Sequence, residues 1–166
     1  ELEGPRQAND PRMAMTIFLD RDDVSAAVKL ARRRMDASIA LPHDKYAPKG
    51  LPQLAYDCCG AYGEFAVAKA VGAPAPDGVN TWHAPDVGSL QVRSIGIQEP
   101  GGPPPEKKRL IVRPNDSPDD VFVLVQVDMS QPAPVRQCVI LGWIRGRDAR
   151  QQAYWRNDAW FVPRHV

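Results

Sequence analysis

The pattern of apolar residues in this chain changes once, and that change is the strongest constraint on its fold. Up to about residue 72, apolar residues recur at the three- and four-residue spacing of helices, whereas from Val79 onward they form short runs of strand length. Helical patterns followed by strand patterns are typical of the α+β class. With 166 residues the chain is long enough for one ordinary domain. We therefore expect an α+β (α/β/α-like) domain with a central mixed sheet of four or five strands flanked by helices.

Two helices are predicted in the first half. The first begins near residues 22–23, where two aspartates can cap it, and the second runs from about residue 53 to 71, with Gly72 as its stop. Gly60 and Gly63 lie inside the second helix, where each costs about 1 kcal/mol relative to Ala. This pair of glycines indicates either that another element packs closely there or that the helix breaks.

The second half predicts strands and loops. The core is expected to include Trp143 on a central strand and the C-terminal aromatics Trp155, Trp160 and Phe161. The proline- and glycine-rich stretch over 98–108 is an exposed loop. The predicted strands are 79–83, 90–97, 110–112, 121–127 and 139–144, and a short helix follows at 148–154.

Composition excludes several classes of protein. Three cysteines, two of them adjacent, do not fit a disulfide framework, and the three histidines have no zinc spacing. No apolar run is long enough to cross a bilayer, so we expect no membrane contact. The cysteine pattern favours a reducing, cytoplasmic location. The net charge is only +1, so any affinity for nucleic acid must come from a local basic surface.

One group of residues suggests metal-dependent chemistry. Glu64 is an acid in an otherwise small and apolar helix, Asp86 lies at a turn, and Gln91 and Arg93 share one face of the next strand. Carboxylates suit a hard cation such as Mg²⁺, an amide oxygen of Gln91 can complete its shell, and Arg93 can offset charge on a phosphate. The simpler alternatives are a solvated or ion-paired helix acid, a turn aspartate and a polar strand face.

Basic residues outside this group are candidates for phosphate contacts. Arg32, Arg33 and Arg34 form a run on the first helix, and Arg109 and Arg113 lie near the proline-rich loop. Each cation that contacts a phosphate would release a counterion and make DNA binding depend on salt. The alternative for the arginine run is a solvated helix face. A further acid, Asp116, is either a third site carboxylate or a turn residue.

The group Glu64, Asp86 and Gln91-Val92-Arg93 resembles the restriction-endonuclease-like, PD-(D/E)xK nuclease superfamily, and Pro85-Asp86 matches its first dipeptide. Over roughly 60–163 the chain also resembles small uncharacterised phage or prophage proteins of this type. The resemblance implies a restriction-endonuclease-like fold and a DNA substrate. It also implies Mg²⁺ (or Mn²⁺) held by Glu64, Asp86 and Gln91, with Arg93 as the fourth catalytic residue. The protein would then be a Mg-dependent endo- or exodeoxyribonuclease of the bacterial host cytoplasm.

Two departures from the family pattern keep alternatives open. Gln91 stands where the family has an acid, and Arg93 stands where it has a lysine; an arginine is a poor proton shuttle. The alternative is therefore a non-catalytic DNA- or protein-binding module on the same fold, such as a phage or host-interaction protein. A structural or inhibitory protein that binds a partner, and a homodimer, are also open. We expect residues 1–15 to be a disordered leader or cloning remnant and residues 16–166 to form a single nuclease-like domain.

Overall fold

The computed structural model describes the chain in five segments, which together hold two long helices and seven strands. These segments are 14–39, 53–79, 84–97, 107–130 and 135–164. Neither of the long helices in these segments has an apolar stretch sufficient to span a bilayer. The elements are β1 (Met15–Leu19), α1 (Arg21–Ile39), α2 (Gln53–Val71), β2 (Leu90–Ile97), β3 (Leu110–Val112), β4 (Val121–Asp128), β5 (Arg136–Arg145), α3 (Gly146–Ala149), a 3-10 turn (Gln152–Tyr154), β6 (Trp155–Arg156) and β7 (Ala159–Val162).

The main sheet has four strands in the order β1-β5-β4-β2. The pairs β1–β5 and β5–β4 are antiparallel, whereas β2 and β4 are parallel. The mixed sheet flanked by helices confirms the predicted α+β class. Parallel strands need a long crossover connection, and the segment between β2 and β4 contains β3, which belongs to a second sheet.

The helix α2 packs on one face of the main sheet, and its backbone at Gly63 comes very close to Ser94 of β2. A Cβ atom built on Gly63 would lie only 2.0 Å from the Ser94 Oγ on β2, so any larger residue at position 63 would force Ser94 to move. Gly60 has nothing within 4 Å of such an atom, so only one of the two glycines serves the close approach. Residues 61–68 of α2 are all buried, which explains why this helix has no polar face in its second half.

The predicted bounds of α2 are confirmed, and Gly72 ends the helix with a φ of 67°. The start of α1 differs from the prediction by its capping residue. Asp20 accepts the backbone N–H groups of Asp22 and Asp23, both at 3.0 Å, and the Asp23 carboxylate accepts the N–H of Asp20 at 3.2 Å. This reciprocal arrangement is a capping box with Asp20 as the N-cap, so the predicted cap at residues 22–23 was placed too late in the chain.

The opposite face of the main sheet is covered by a second sheet, of three strands in the order β3-β7-β6. Its apolar core includes Phe122, Leu124 and Ile144 of the main sheet, with Leu110 and Val162 of the small one. The hairpin β6–β7 turns at Asn157 and Asp158, which both have positive φ, as two-residue hairpin turns of type I′ require.

The strand predictions at 90–97, 110–112 and 121–127 are confirmed, and β5 is longer than predicted. The prediction of a helix at 148–154 was wrong, because α3 and a 3-10 turn stand there instead. Three strands were not predicted: β1, β6 and β7. Met15, which we assigned to the leader, is the first residue of β1. The predicted strand at 79–83 and the loop at 98–108 fall mostly outside the described residues.

The prediction that Trp143 lies in the core was wrong, because its side chain is 52% exposed. Trp155 is also exposed, and its ring lies edge-on to Trp160 at 4.6 Å between centroids. Trp160 packs against the apolar core between the two sheets, as expected. Aromatic residues of the second half therefore divide between core and surface.

Candidate functional site

Glu64 is buried in the centre of α2, with 6% of its surface exposed, and it is paired with Arg34 of α1. The Arg34 guanidinium donates two hydrogen bonds to the two carboxylate oxygens, at 2.6 Å and 2.8 Å. Its third donor, Nε, reaches the carbonyl oxygen of Gly78 at 2.9 Å. This fork-to-fork geometry is the strongest arrangement available to an ion pair between these residue types.

Asp86 lies in a tight turn that folds back onto the first residues of β2. Val87 and Leu90 exchange backbone hydrogen bonds across this turn, and Gly88 adopts a φ of 57° that other residues rarely reach. The turn directs the Asp86 carboxylate to the backbone N–H of Val92, which donates to Oδ2 at 2.7 Å. The sequence Pro-Asp-Val-Gly thus positions one carboxylate at the entry of the strand that carries Gln91 and Arg93.

Arg93 connects Asp86 to Asp116. Its guanidinium Nη1 lies 3.9 Å from Asp86 Oδ2, and its Nη2 donates to both oxygens of Asp116 at 3.1 Å. The guanidinium also lies over the ring of Phe122, 5.1 Å from its centroid, and Nε donates to the carbonyl of Ile111 at 3.3 Å. The prediction that Asp116 is a third carboxylate near the candidate site is therefore compatible with its position beside Arg93.

Asp116 is also a turn residue, as the simpler alternative proposed. Its carboxylate accepts the backbone N–H of Arg113 at 2.7 Å, which fixes the turn after β3. Both interpretations of this residue therefore hold at once, because the turn carries the carboxylate to Arg93.

Gln91 is buried but is directed elsewhere. Its side-chain amide donates to the carboxylate of Asp120 at 3.4 Å, on the sheet face that meets the small sheet. Asp120 carried no signal in the sequence beyond its place in a turn. The structure thus brings Glu64, Asp86 and Arg93 into one neighbourhood and gives the Gln91 side chain a different partner.

Asp86 is close enough to Glu64 to influence its ionisation. Burial raises the pKa of Glu64, Arg34 opposes that rise, and the negative charge of Asp86 adds to it. Burial likewise raises the pKa of Asp86. The hydrogen bond from the Val92 N–H group and the positive charges of Arg93 and Arg34 lower this pKa, but by less. Burial outweighs the ion pairs at both positions. Neighbouring carboxylates whose pKa values are raised in this way are more common at functional sites than elsewhere.

A metal ion would need to compete with these arginines. Within the described segments, no group of three or more His, Cys, Asp or Glu side chains is arranged to hold a metal ion. Two carboxylates do suit Mg²⁺, which keeps several of its waters and often binds only one or two protein carboxylates. Of the predicted ligands, Glu64 and Asp86 fit this chemistry, whereas the Gln91 amide faces Asp120.

The predicted phosphate-binding arginines divide into two groups. Arg34 turns inward to Glu64, whereas its neighbours Arg32 and Arg33 are exposed. Arg113 is exposed, and the Arg109 guanidinium donates to the carbonyl of Lys108 at 3.1 Å. Sequence reasoning missed the role of Arg34 as a partner of Glu64, because the two residues are 30 positions apart.

Comparison of the chain with protein-family models, with curated proteins and with solved structures finds no match. The assignment to the PD-(D/E)xK superfamily therefore stays a prediction that depends on the residues themselves.

Proposed function

We propose that this chain is a metal-dependent, nuclease-like protein that acts on DNA phosphodiester bonds. The observation that supports the proposal is the position of Asp86, which is held by the Val92 N–H group at 2.7 Å and lies 3.9 Å from Arg93. Asp86 is also near enough to the buried Glu64 for its charge to add to the rise in the Glu64 pKa, and burial raises the pKa of both acids. A carboxylate pair beside a strand arginine is the donor set expected for hydrolysis of a phosphodiester. A nuclease of this kind would work in the bacterial cytoplasm, where the buried thiols Cys58, Cys59 and Cys138 stay reduced.

Glu64 and Asp86 are the residues that would hold Mg²⁺ or Mn²⁺, which when bound supplies charge stabilisation and a more acidic water. For Glu64 to serve as a ligand, the Arg34 guanidinium must move off its carboxylate. The Arg34 side chain is 24% exposed, so it has a route toward solvent. The released arginine would remain near the site, where its positive charge can attract the DNA backbone.

Arg93 would then stabilise the phosphate rather than transfer a proton. Arginine is a poor proton shuttle, and its planar fork matches two phosphate oxygens. In the structure one nitrogen of this group, Nη2, donates to both oxygens of Asp116 at 3.1 Å, so the Asp116 carboxylate keeps Arg93 oriented beside Asp86. Asp116 is in this proposal a positioning residue for Arg93.

The proposal is tested by cleavage assays on single-stranded, duplex and supercoiled DNA with Mg²⁺, Mn²⁺ or EDTA. We expect metal-dependent cleavage that is lost in Glu64→Gln and in Asp86→Asn. The matched control is Asp36→Asn, which removes an exposed carboxylate from α1 and should cleave like the unmodified protein. Cleavage that survives in the Glu64→Gln, Asp86→Asn double variant would exclude this site.

A second candidate is a non-catalytic DNA- or protein-binding module. One specific observation favours it: Arg34 and Arg93 are both engaged with carboxylates and carbonyls of the protein itself, as a structural ion-pair network would be. The same assays separate the two candidates. DNA binding that weakens steeply with salt, without cleavage in either metal, supports a DNA-binding module. If the protein neither binds nor cleaves DNA, the module binds a protein instead.

A further inference from the structure

The exposed Trp143 lies on the face of the main sheet that is covered by α2, the helix that carries Glu64, whereas Arg93 projects from the opposite face of β2 over Phe122. Across the strands, Val92 of β2 pairs with Val123 of β4, and Val123 pairs with Trp143 of β5. Residues directly opposite each other point to the same face, and Val92 and Val123 belong to the core beneath α2. Trp143 is thus two strands, or about 10 Å, from Val92, whose N–H group holds Asp86.

The local structure of β5 separates Trp143 from the buried part of that strand. The register between β4 and β5 shifts between Leu124 and Val125, so β5 carries one extra residue at Leu141. A β-bulge of this kind bends its strand and changes the direction of nearby side chains, and bulges are frequent beside active sites. The residues of β5 before the bulge include the buried Cys138, whereas Trp143 beyond it is 52% exposed.

A cation accompanies this tryptophan. Arg145 is the next residue of β5 on the same face, opposite Val121, and it is exposed. Among the described residues Arg145 has no acidic partner, which distinguishes it from Arg34 and Arg93. The surrounding segment is basic as well: residues 143–164 contain five arginines and two aspartates, and of these arginines Arg147 is paired with Asp119.

We propose that Trp143 and Arg145 form a binding surface for single-stranded DNA beside the candidate site. Trp143 stacks on an unpaired base, and Arg145 contacts the backbone phosphate. Any base offers a face to an aromatic ring once it is unpaired, whereas bases within a duplex are already stacked on each other. The positive charge of the segment matches the phosphate backbone. The inference rests on the proposed function, since it names single-stranded DNA as the substrate of that site.

The test measures binding without cleavage, by fluorescence anisotropy of a labelled oligothymidylate and of a duplex in EDTA. We expect Trp143→Ala to weaken binding of the single strand about five-fold or more, because stacking on an aromatic side chain contributes about 1–3 kcal/mol per base. Trp143→Phe should retain most of the affinity. Arg145→Ala should reduce the slope of log affinity against log salt by about 0.7.

The matched control is Phe18→Ala, which removes another exposed aromatic residue, 60% exposed, from the neighbouring edge strand β1, on the other face of the main sheet. Its affinity for the single strand should equal that of the unmodified protein. The inference is overturned if Trp143→Ala binds as tightly as the unmodified protein, if Phe18→Ala loses as much affinity, or if the duplex is affected equally. Circular dichroism confirms that each variant is folded before its affinity is compared.

The two proposals can fail separately. Unchanged affinity in Trp143→Ala, together with cleavage that requires Glu64, overturns the stacking surface and leaves the proposed function intact. Binding that depends on Trp143, in a protein that cleaves no DNA with either metal, supports the surface and overturns the nuclease activity.

Discussion

Arg34 and Glu64 form a two-pronged ion pair between α1 and α2, at 2.6 Å and 2.8 Å, with 24% and 7% of their side chains exposed. The pair joins the two helices at the point where an acid would otherwise be buried without a partner. Burying either charged group away from water is unfavourable, so the ion pair adds little net stability. Its main effect is to fix the orientation of the two side chains. It also sets a condition on function, because Glu64 can accept another cation only after Arg34 leaves it.

Replacing Arg34 with Met should destabilise the fold strongly. The Glu64 carboxylate would stay buried with no cation beside it, and the loss of one partner from such a pair typically costs about 3 kcal/mol. Urea denaturation at neutral pH measures the change. The control is Arg33→Met, which removes an exposed neighbour and should change the free energy of unfolding by less than about 0.5 kcal/mol. Equal effects of the two substitutions would contradict the ion pair.

The stability of the protein should depend on pH through Asp86. Burial raises its pKa above the ordinary 3.8, so the folded protein binds this proton more tightly than the unfolded chain does. The stabilisation that Asp86 contributes is therefore fully present below pH 3.8 and is lost as the pH rises through its pKa in the folded protein. The amide introduced by Asp86→Asn does not titrate, so the unfolding free energy of the unmodified protein relative to this variant should fall with rising pH.

Urea denaturation of both proteins at a series of pH values from about 3.5 to 7 measures this difference. The control is Asp36→Asn, which removes one exposed carboxylate of α1, so its series shows the effect of losing a single surface charge. A difference that rises with pH would mean that the Val92 N–H group and Arg93 stabilise the charged carboxylate more than burial opposes it.

The fold class followed from the sequence because helix and strand periodicities occupy different halves of the chain. The bounds of α2 were predictable because a proline-rich stretch of sequence precedes it and Gly72 ends it. The hairpin β6–β7 was missed because its strands have only two and four residues and are held by pairing with β3, which no local pattern reveals. Asn157-Asp158 also lacks the glycine that usually marks a two-residue turn.

The candidate site was predictable in its residue types but not in its pairings. Three consecutive arginines at 32–34 look equivalent in the sequence, yet a helix turns about 100° per residue, so they cannot all face α2. Which of them is buried depends on Glu64, 30 residues away. The burial of Trp143 was misjudged for a related reason, since exposure of a strand residue depends on which helix covers that end of the sheet.

Two glycines of α2 should respond in opposite ways to alanine. A Cβ at position 63 would lie 2.0 Å from Ser94 Oγ and 3.2 Å from its Cβ, so Gly63→Ala should destabilise the fold by about 1–3 kcal/mol. At position 60 the space is open, and Gly60→Ala should stabilise the helix by up to about 1 kcal/mol. Thermal and urea denaturation compare the two. Similar changes of one sign would contradict the close packing of α2 on β2.

The interaction of Arg93 with Asp116 should be measurable as a coupling energy. Both side chains are largely buried, with 27% and 17% exposed, and neighbours in one ion-pair network typically couple by about 0.5–3 kcal/mol. A double-mutant cycle with Arg93→Met and Asp116→Asn, followed by urea denaturation, gives this energy. The control cycle pairs Arg147→Met with Asp119→Asn, whose ion pair is exposed and should couple by less than about 1 kcal/mol.

Arg93→Lys separates the structural and chemical roles of this residue. A lysine keeps the positive charge but has no Nε–H group for the Ile111 carbonyl and no planar group to lie over the Phe122 ring, so the fold should lose about 1 kcal/mol of stability. If the site hydrolyses DNA, a lysine should still support cleavage, because it restores the residue type of the PD-(D/E)xK pattern and can exchange a proton. Arg93→Met, which lacks the charge, should abolish cleavage. Equal cleavage by the Lys and Met variants would mean that the charge at position 93 does not act on the phosphate.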